Sequence, residues 1–213
     1  KQRTTALYLQ QDLTIAEKWI ASIGLRNDWL DLQQTNLIRN SSTQADFDEL
    51  TSRFGLTYKV SDAWAVYGSY AQSVAPPAIG VDPERGEQFE VGVKYRPEAF
   101  PALFTLALYD LTKNNISITD PITAQPSTIG EIRVRGIDLE AKAEITDHFS
   151  LTVAYSYLDP EIVENGGDGT DGTKPQFVSN HLASSWANYP LPGPGWSEER
   201  RAGKECSSRW SSD

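Results

Sequence analysis

Hydrophobic and polar residues alternate with a period of two along most of this chain. The clearest stretch covers residues 136–145, where apolar side chains occupy one face and charged side chains occupy most of the other. The apolar set is Ile137, Leu139, Ala141, Ala143 and Ile145. The opposing charged set is Asp138, Glu140, Lys142 and Glu144. This period indicates a β-strand with one apolar face and one polar face.

The alternation predicts an all-β chain with about nine strands of roughly ten residues each. The predicted strands lie near residues 3–13, 19–29, 50–60, 64–73, 87–96, 103–112, 132–145, 149–158 and 178–189. The pattern is weak in the fourth and the ninth of these segments.

The predicted connections alternate in length. Short turns lie at residues 61–63, 97–102 and 146–148. Long polar loops are predicted at about 31–48, 74–86, 113–131 and 159–176. Short turns at one end and long loops at the other are typical of an antiparallel transmembrane β-barrel. The strand length favours the same fold, because strands of soluble proteins average about five or six residues.

Two soluble folds also alternate and also use aromatic residues, namely the β-sandwich and the β-propeller. A propeller would repeat about every 40 residues, and no such repeat is visible in the sequence. A soluble, secreted all-β binding or enzymatic domain therefore stays open as the alternative. Partition into detergent would distinguish it from a membrane barrel, since a soluble sandwich does not need detergent.

Composition narrows the classes of function. The 213 residues carry a net charge of −10, which argues against nucleic-acid binding because phosphate contacts need a basic face. One cysteine excludes a disulfide scaffold, and two histidines, His148 and His181, offer little for a metal site or a catalytic triad. No cofactor is predicted. The sequence has no methionine and opens on no apolar signal segment, so we expect a piece of a longer protein.

Four motifs resemble those of TonB-dependent siderophore receptors, most closely the ferrichrome type. They are residues 83–95, residues 109–115, residues 130–143, and the run from His181 to Ser184 together with Trp186. They occur in family order and at family spacing over residues 1 to about 195. The resemblance implies a barrel of roughly 22 strands closed around an N-terminal plug. This chain would supply consecutive strands of the C-terminal half, without the plug, its TonB-contacting box or the last strands.

The resemblance also implies two site residues. Barrel-wall carboxylates of the family meet arginines of the plug, and their positions match Glu90 and Asp138. Both lie on the polar parity of their strands, at similar distances from the following turns. One strand separates them, so we expect them about 10 Å apart, with a guanidinium cluster held between them by charge-assisted hydrogen bonds. The family usually has Glu at the second position, so Asp138 has a shorter reach. The alternative is that these two acids have no special role, because the lumen wall of any such barrel is polar.

The function implied by the resemblance is not enzymatic. It is TonB-dependent uptake of a ferric siderophore, of hydroxamate type, across the outer membrane of a Gram-negative bacterium. The expected partners are the ferric siderophore, outer-membrane lipid, and the TonB complex through the plug. Tyr70 and Gln72, near the top of a strand, are named as candidate ligand contacts. The specific motifs disfavour a passive porin or adhesin barrel.

Residues 197–213 abandon the alternating pattern. They resemble the translation of a sequencing-library adapter, and a genuine basic tail is the alternative. We therefore divide the chain into a receptor β-barrel segment at 1–196 and a non-native tail at 197–213. The single cysteine, Cys206, lies in that tail, so no redox inference rests on it.

Overall fold

The computed structural model describes residues 1–36, 41–77, 82–119, 126–165, 169, 171–175 and 178–190. In this part of the chain all nine predicted strands are present. They are β1 (Gln2–Ile15), β2 (Trp19–Asn36), β3 (Ser41–Lys59), β4 (Trp64–Ala75), β5 (Glu84–Tyr95), β6 (Ala102–Thr119), β7 (Pro126–Thr146), β8 (Phe149–Glu164) and β9 (His181–Asn188). The tail at 197–213 lies outside the described residues, and its assignment stays a prediction.

The strands form one antiparallel sheet in which each strand pairs with the next along the chain, from β1 to β9. The all-β prediction is confirmed, and the sheet is open, as expected for these strands without the rest of a barrel. Among the described residues no helix is long and apolar enough to cross a membrane.

The connections alternate as predicted, but the strands are longer than predicted. Short turns at 16–18, 60–63, 96–101 and 147–148 join the strands at one end of the sheet. At the other end, the predicted loops at 31–48, 113–131 and 159–176 are wrong in part, since β2, β3, β6, β7 and β8 continue well into them. The backbone ladder persists there although the apolar alternation has stopped, because pairing needs only N–H and C=O groups.

One face of the sheet, here called the apolar face, carries the hydrophobic residues of neighbouring strands in register. Val91, Leu108, Ile137 and Tyr157 are consecutive cross-strand partners on this face. Their side chains are exposed or half-buried, and no described side chain of the chain is fully buried. The sheet is therefore a single layer without a core of its own. An apolar surface of this extent requires an apolar environment.

Aromatic pairs lie on the apolar face close to the short turns. Trp19 and Tyr58 have ring centroids 4.5 Å apart, and Trp64 and Tyr95 have centroids 4.3 Å apart. Such rings at strand ends are typical of the aromatic girdle at a membrane–water interface.

The apolar face ends in charged residues toward the long connections. Asp110 forms ion pairs with Arg133 and Arg135, and Asp159 pairs with Lys174 at 3.0 Å. The apolar belt thus lies between the aromatic pairs near the short turns and this charged network.

Candidate functional site

The two predicted site residues lie on the face opposite the apolar face, here called the polar face. Glu90 is on β5 and Asp138 is on β7, with β6 between them. Glu90 pairs with Tyr109 of β6, whereas Asp138 pairs with Ala107. The ladder therefore sets the two acids two residues out of step along the strands. Two strand spacings and this offset place their backbones about 12 Å apart.

Side chains of the sheet hold both oxygens of the Glu90 carboxylate. The Tyr67 hydroxyl of β4 donates a hydrogen bond to Glu90 Oε1 at 2.7 Å. Gln88 Nε2 donates to Glu90 Oε2 at 3.0 Å. Two neutral donors therefore orient this carboxylate without neutralising it.

The Tyr67 ring lies close to a glycine of the next strand. Tyr67 is the direct cross-strand partner of Gly92, and a Cβ at Gly92 would lie 2.5 Å from the Tyr67 Cε1 atom. No side chain fits there without moving the ring. Lys94 Nζ lies 4.8 Å from the same ring centroid, within the range of a cation–π contact.

A second tyrosine–glycine pair repeats the arrangement two strands away. Tyr109 of β6 covers Gly136 of β7, where a Cβ would lie 2.3 Å from the Tyr109 ring. Aromatic side chains that cover glycines on a neighbouring strand are a known means of stabilising sheets. The sequence analysis missed both pairs, although a glycine inside an alternating strand signals a close approach by another group.

Asp138 is placed differently from Glu90. Its carboxylate accepts no hydrogen bond and forms no ion pair within the part of the chain that the structure describes. The neighbouring Glu140 is paired with Lys142 at 2.8 Å and is therefore neutralised locally. Asp138 and Glu90 have no cation from the described residues as an ion-pair partner, and the same is true of Glu144 on this face.

The candidate ligand contacts Tyr70 and Gln72 do not lie on the polar face. The Tyr70 ring packs on the apolar face, with centroids 6.5 Å from Phe54 and 4.7 Å from Phe89. Gln72 Oε1 accepts hydrogen bonds from the backbone N–H and the hydroxyl of Ser52, at 3.1 Å and 2.8 Å. The role of these two residues as ligand contacts stays a prediction.

Among the described residues no cluster of three or more His, Cys, Asp or Glu side chains is arranged to hold a metal ion.

A one-layer antiparallel sheet with an apolar belt, interfacial aromatic pairs and an acidic opposite face defines the wall of a transmembrane β-barrel. Over residues 1–213 the sequence matches the family described as "TonB dependent receptor-like, beta-barrel". The chain therefore belongs to the TonB-dependent receptor β-barrel family, and the resemblance found in its motifs is confirmed.

Individual relatives agree with this assignment. The chain is 36% identical over 206 residues to the "Ferrichrome outer membrane transporter/phage receptor" of Escherichia coli (strain K12). This match covers 91% of this chain and 27% of that protein. It is 28% identical over 191 residues to the "Ferrioxamine receptor" of Yersinia enterocolitica, covering 87% and 27% respectively. The crystal structure of the siderophore receptor PiuA from Acinetobacter baumannii superposes with a TM-score of 0.73 at 25% identity, over 90% of this chain and 31% of that one.

Family membership places this barrel wall in the outer membrane of Gram-negative bacteria, and the relatives named above are transporters and receptors. The chain spans 27% of the length of each of these two curated relatives.

Proposed function

We propose that this chain forms part of the wall of a receptor that imports a ferric siderophore by a TonB-dependent route. The observation that carries the proposal is the family match over residues 1–213. The names of the relatives support it, since one transports ferrichrome and two are receptors for ferrioxamine or an unspecified siderophore. Ferrichrome and ferrioxamine both chelate iron through hydroxamate groups. A hydroxamate siderophore is therefore the finer substrate class that we infer.

The wall itself has two tasks in this proposal. Its backbone forms a hydrogen-bonded surface that, once closed by the remaining strands, leaves no edge exposed to lipid. Its apolar face contacts lipid, and its polar face lines the lumen. The siderophore binds at the extracellular mouth, TonB acts on the plug, and the siderophore passes through the lumen without covalent chemistry.

Glu90 and Asp138 hold arginines of the plug. This role is supported by the absence of a cationic partner for either acid among the described residues. A guanidinium is the cation that best fits a carboxylate, because its planar fork makes two parallel hydrogen bonds. Two acids about 12 Å apart would contact different arginines of one cluster, or opposite sides of it.

Uptake of radiolabelled iron tests the proposal. The full-length receptor that contains this chain is expressed in a Gram-negative strain without its own siderophore receptors, and ⁵⁵Fe is supplied as ferrichrome, ferrioxamine B or a ferric catecholate. We expect uptake of a hydroxamate complex and no uptake in a matched strain without TonB. Uptake of the catecholate alone would overturn the substrate class. Uptake that persists without TonB would overturn the mechanism.

A further inference from the structure

We propose that Tyr67 is a positioning residue for Glu90, and that Gly92 holds Tyr67 in the position this requires. The proposal rests on the proposed function of Glu90 as a contact of the plug. It adds that the carboxylate is oriented by the barrel wall before the plug is in place.

The hydrogen bonds on Glu90 leave the carboxylate able to bind an arginine. A carboxylate has about four acceptor positions, two on each oxygen. Tyr67 occupies one position on Oε1 at 2.7 Å, and Gln88 occupies one on Oε2 at 3.0 Å. One position on each oxygen stays available. A bidentate guanidinium uses one acceptor on each oxygen.

The position of the Tyr67 hydroxyl is determined by sterics on the neighbouring strand. The ring rests directly on the backbone of Gly92, where an added Cβ would lie 2.5–2.6 Å from its Cε1, Cζ and Oη atoms. The Lys94 ammonium lies 4.8 Å from the ring centroid. A ring seated in this way has few alternative rotamers, so the hydroxyl stays within reach of Glu90. Preorganisation of this kind strengthens binding because less freedom is lost when the partner arrives.

The second tyrosine–glycine pair provides an internal comparison. Tyr109 covers Gly136 as closely as Tyr67 covers Gly92, yet its hydroxyl makes no hydrogen bond to a carboxylate among the described residues. If tyrosine–glycine pairs served only to stabilise the sheet, both would be equivalent. In our proposal only the pair at Tyr67 affects the plug.

The test uses the full-length receptor in the outer membrane and measures entry of vancomycin, which an intact plug excludes. Tyr67→Phe removes only the hydroxyl, and Gly92→Ala displaces the ring. Tyr109→Phe is the matched control, because it removes the hydroxyl of the other pair, which makes no hydrogen bond to a carboxylate among the described residues. We expect each of the first two variants to raise vancomycin entry about three- to tenfold, as loss of a hydrogen bond to a charged group predicts for a site open to water. Tyr109→Phe should leave entry unchanged.

The background variant Glu90→Ala separates positioning from a merely structural role. Tyr67→Phe should add nothing to vancomycin entry once Glu90 is absent, and it should leave the heat-induced mobility shift of the barrel unchanged. An equal increase in both backgrounds would assign Tyr67 a structural role and overturn the inference.

The single variants distinguish failure of the inference from failure of the proposed function. If Glu90→Ala raises vancomycin entry and Tyr67→Phe does not, the inference fails while the plug contact stands. If Glu90→Ala does not leak, the proposed plug contact itself fails. Should Gly92→Ala not assemble, Tyr67→Phe still decides the question.

Discussion

Arg85 of β5 reaches past β4 to Glu49 of β3, and its Nη2 lies 2.8 Å from Glu49 Oε1. The two strands are not neighbours in the sheet. The contact exists because the ladder between β3 and β4 ends at the pair Arg53 and Ala71, although β3 itself extends well beyond it. The ion pair therefore ties the protruding part of the β2–β3 hairpin to β5.

We predict that Arg85→Ala loosens this hairpin more than Glu49→Gln does. The Glu49 side chain is 11% exposed, so loss of Arg85 leaves a largely buried carboxylate without its cation, whereas glutamine is neutral. The cost should be about 1–2 kcal/mol, less than for a fully buried pair, because Arg85 is 57% exposed and solvent screens it. Hydrogen–deuterium exchange of residues 41–52 measures the effect.

The control for this prediction is Lys113→Ala, which breaks the ion pair of Lys113 with Glu84 at the same end of the sheet. Both of those side chains are more exposed than Glu49, so the change should cost well under about 1 kcal/mol and leave exchange at 41–52 unaltered. Equal effects of Lys113→Ala and Arg85→Ala would show that the hairpin does not depend on Glu49.

Arginine at Leu139 should impair insertion of the barrel. Leu139 lies on the apolar face and is 45% exposed, so an arginine there would enter lipid. The expected cost is about 2–4 kcal/mol near the membrane midplane. Thr105→Arg is the control, since Thr105 pairs with Glu140 on the polar face and should tolerate the change. Spin labels that report water at position 139 and lipid at position 105 would show that the lipid-facing and lumen-facing sides are assigned the wrong way round.

Removal of both wall acids should release the plug. Glu90→Ala combined with Asp138→Ala leaves arginines of the plug without anions. A fully buried pair would lose about 3–5 kcal/mol, and a wet lumen reduces this considerably. Vancomycin entry and the protease sensitivity of the plug are the measurements. Asp138→Glu, which lengthens the reach of the carboxylate, should lower entry or leave it unchanged. An impermeable double variant with an unaltered plug would contradict the contact.

The 213-residue chain alone should not behave as a soluble domain. Its edge strands β1 and β9 leave unpaired N–H and C=O groups, which invite association between edges. Its apolar face, with residues such as Leu7 at 69% and Leu9 at 70% exposure, would contact water. We expect the expressed chain to aggregate or to need detergent, and to bind no siderophore. A sharp monomer peak in detergent-free size-exclusion chromatography, with cooperative unfolding, would favour the soluble alternative.

The sequence by itself determined that the chain is all-β, where most of the nine strands lie, and the face to which the residues of the apolar belt belong. These features follow from a local period of two, which is readable wherever one face is apolar, as from Ile137 to Ile145. It also placed Glu90 and Asp138 on the same face. Where the apolar alternation stops, the period disappears. For that reason the parts of β2, β3, β6, β7 and β8 next to the long connections are predicted as loops.

Only the tertiary structure decided how the strands align. Register between strands is not a local property, so it cannot be predicted from the spacing of residues within one strand. One example is the offset of two residues between Glu90 and Asp138. Another is the packing of Tyr70 against Phe54 and Phe89. The same holds for the close packing of the Tyr67 ring on Gly92 and for the hydrogen bond that its hydroxyl donates to Glu90. Each of these contacts depends on which residues face each other across a ladder, and a shift of one position would move every side chain to the opposite face.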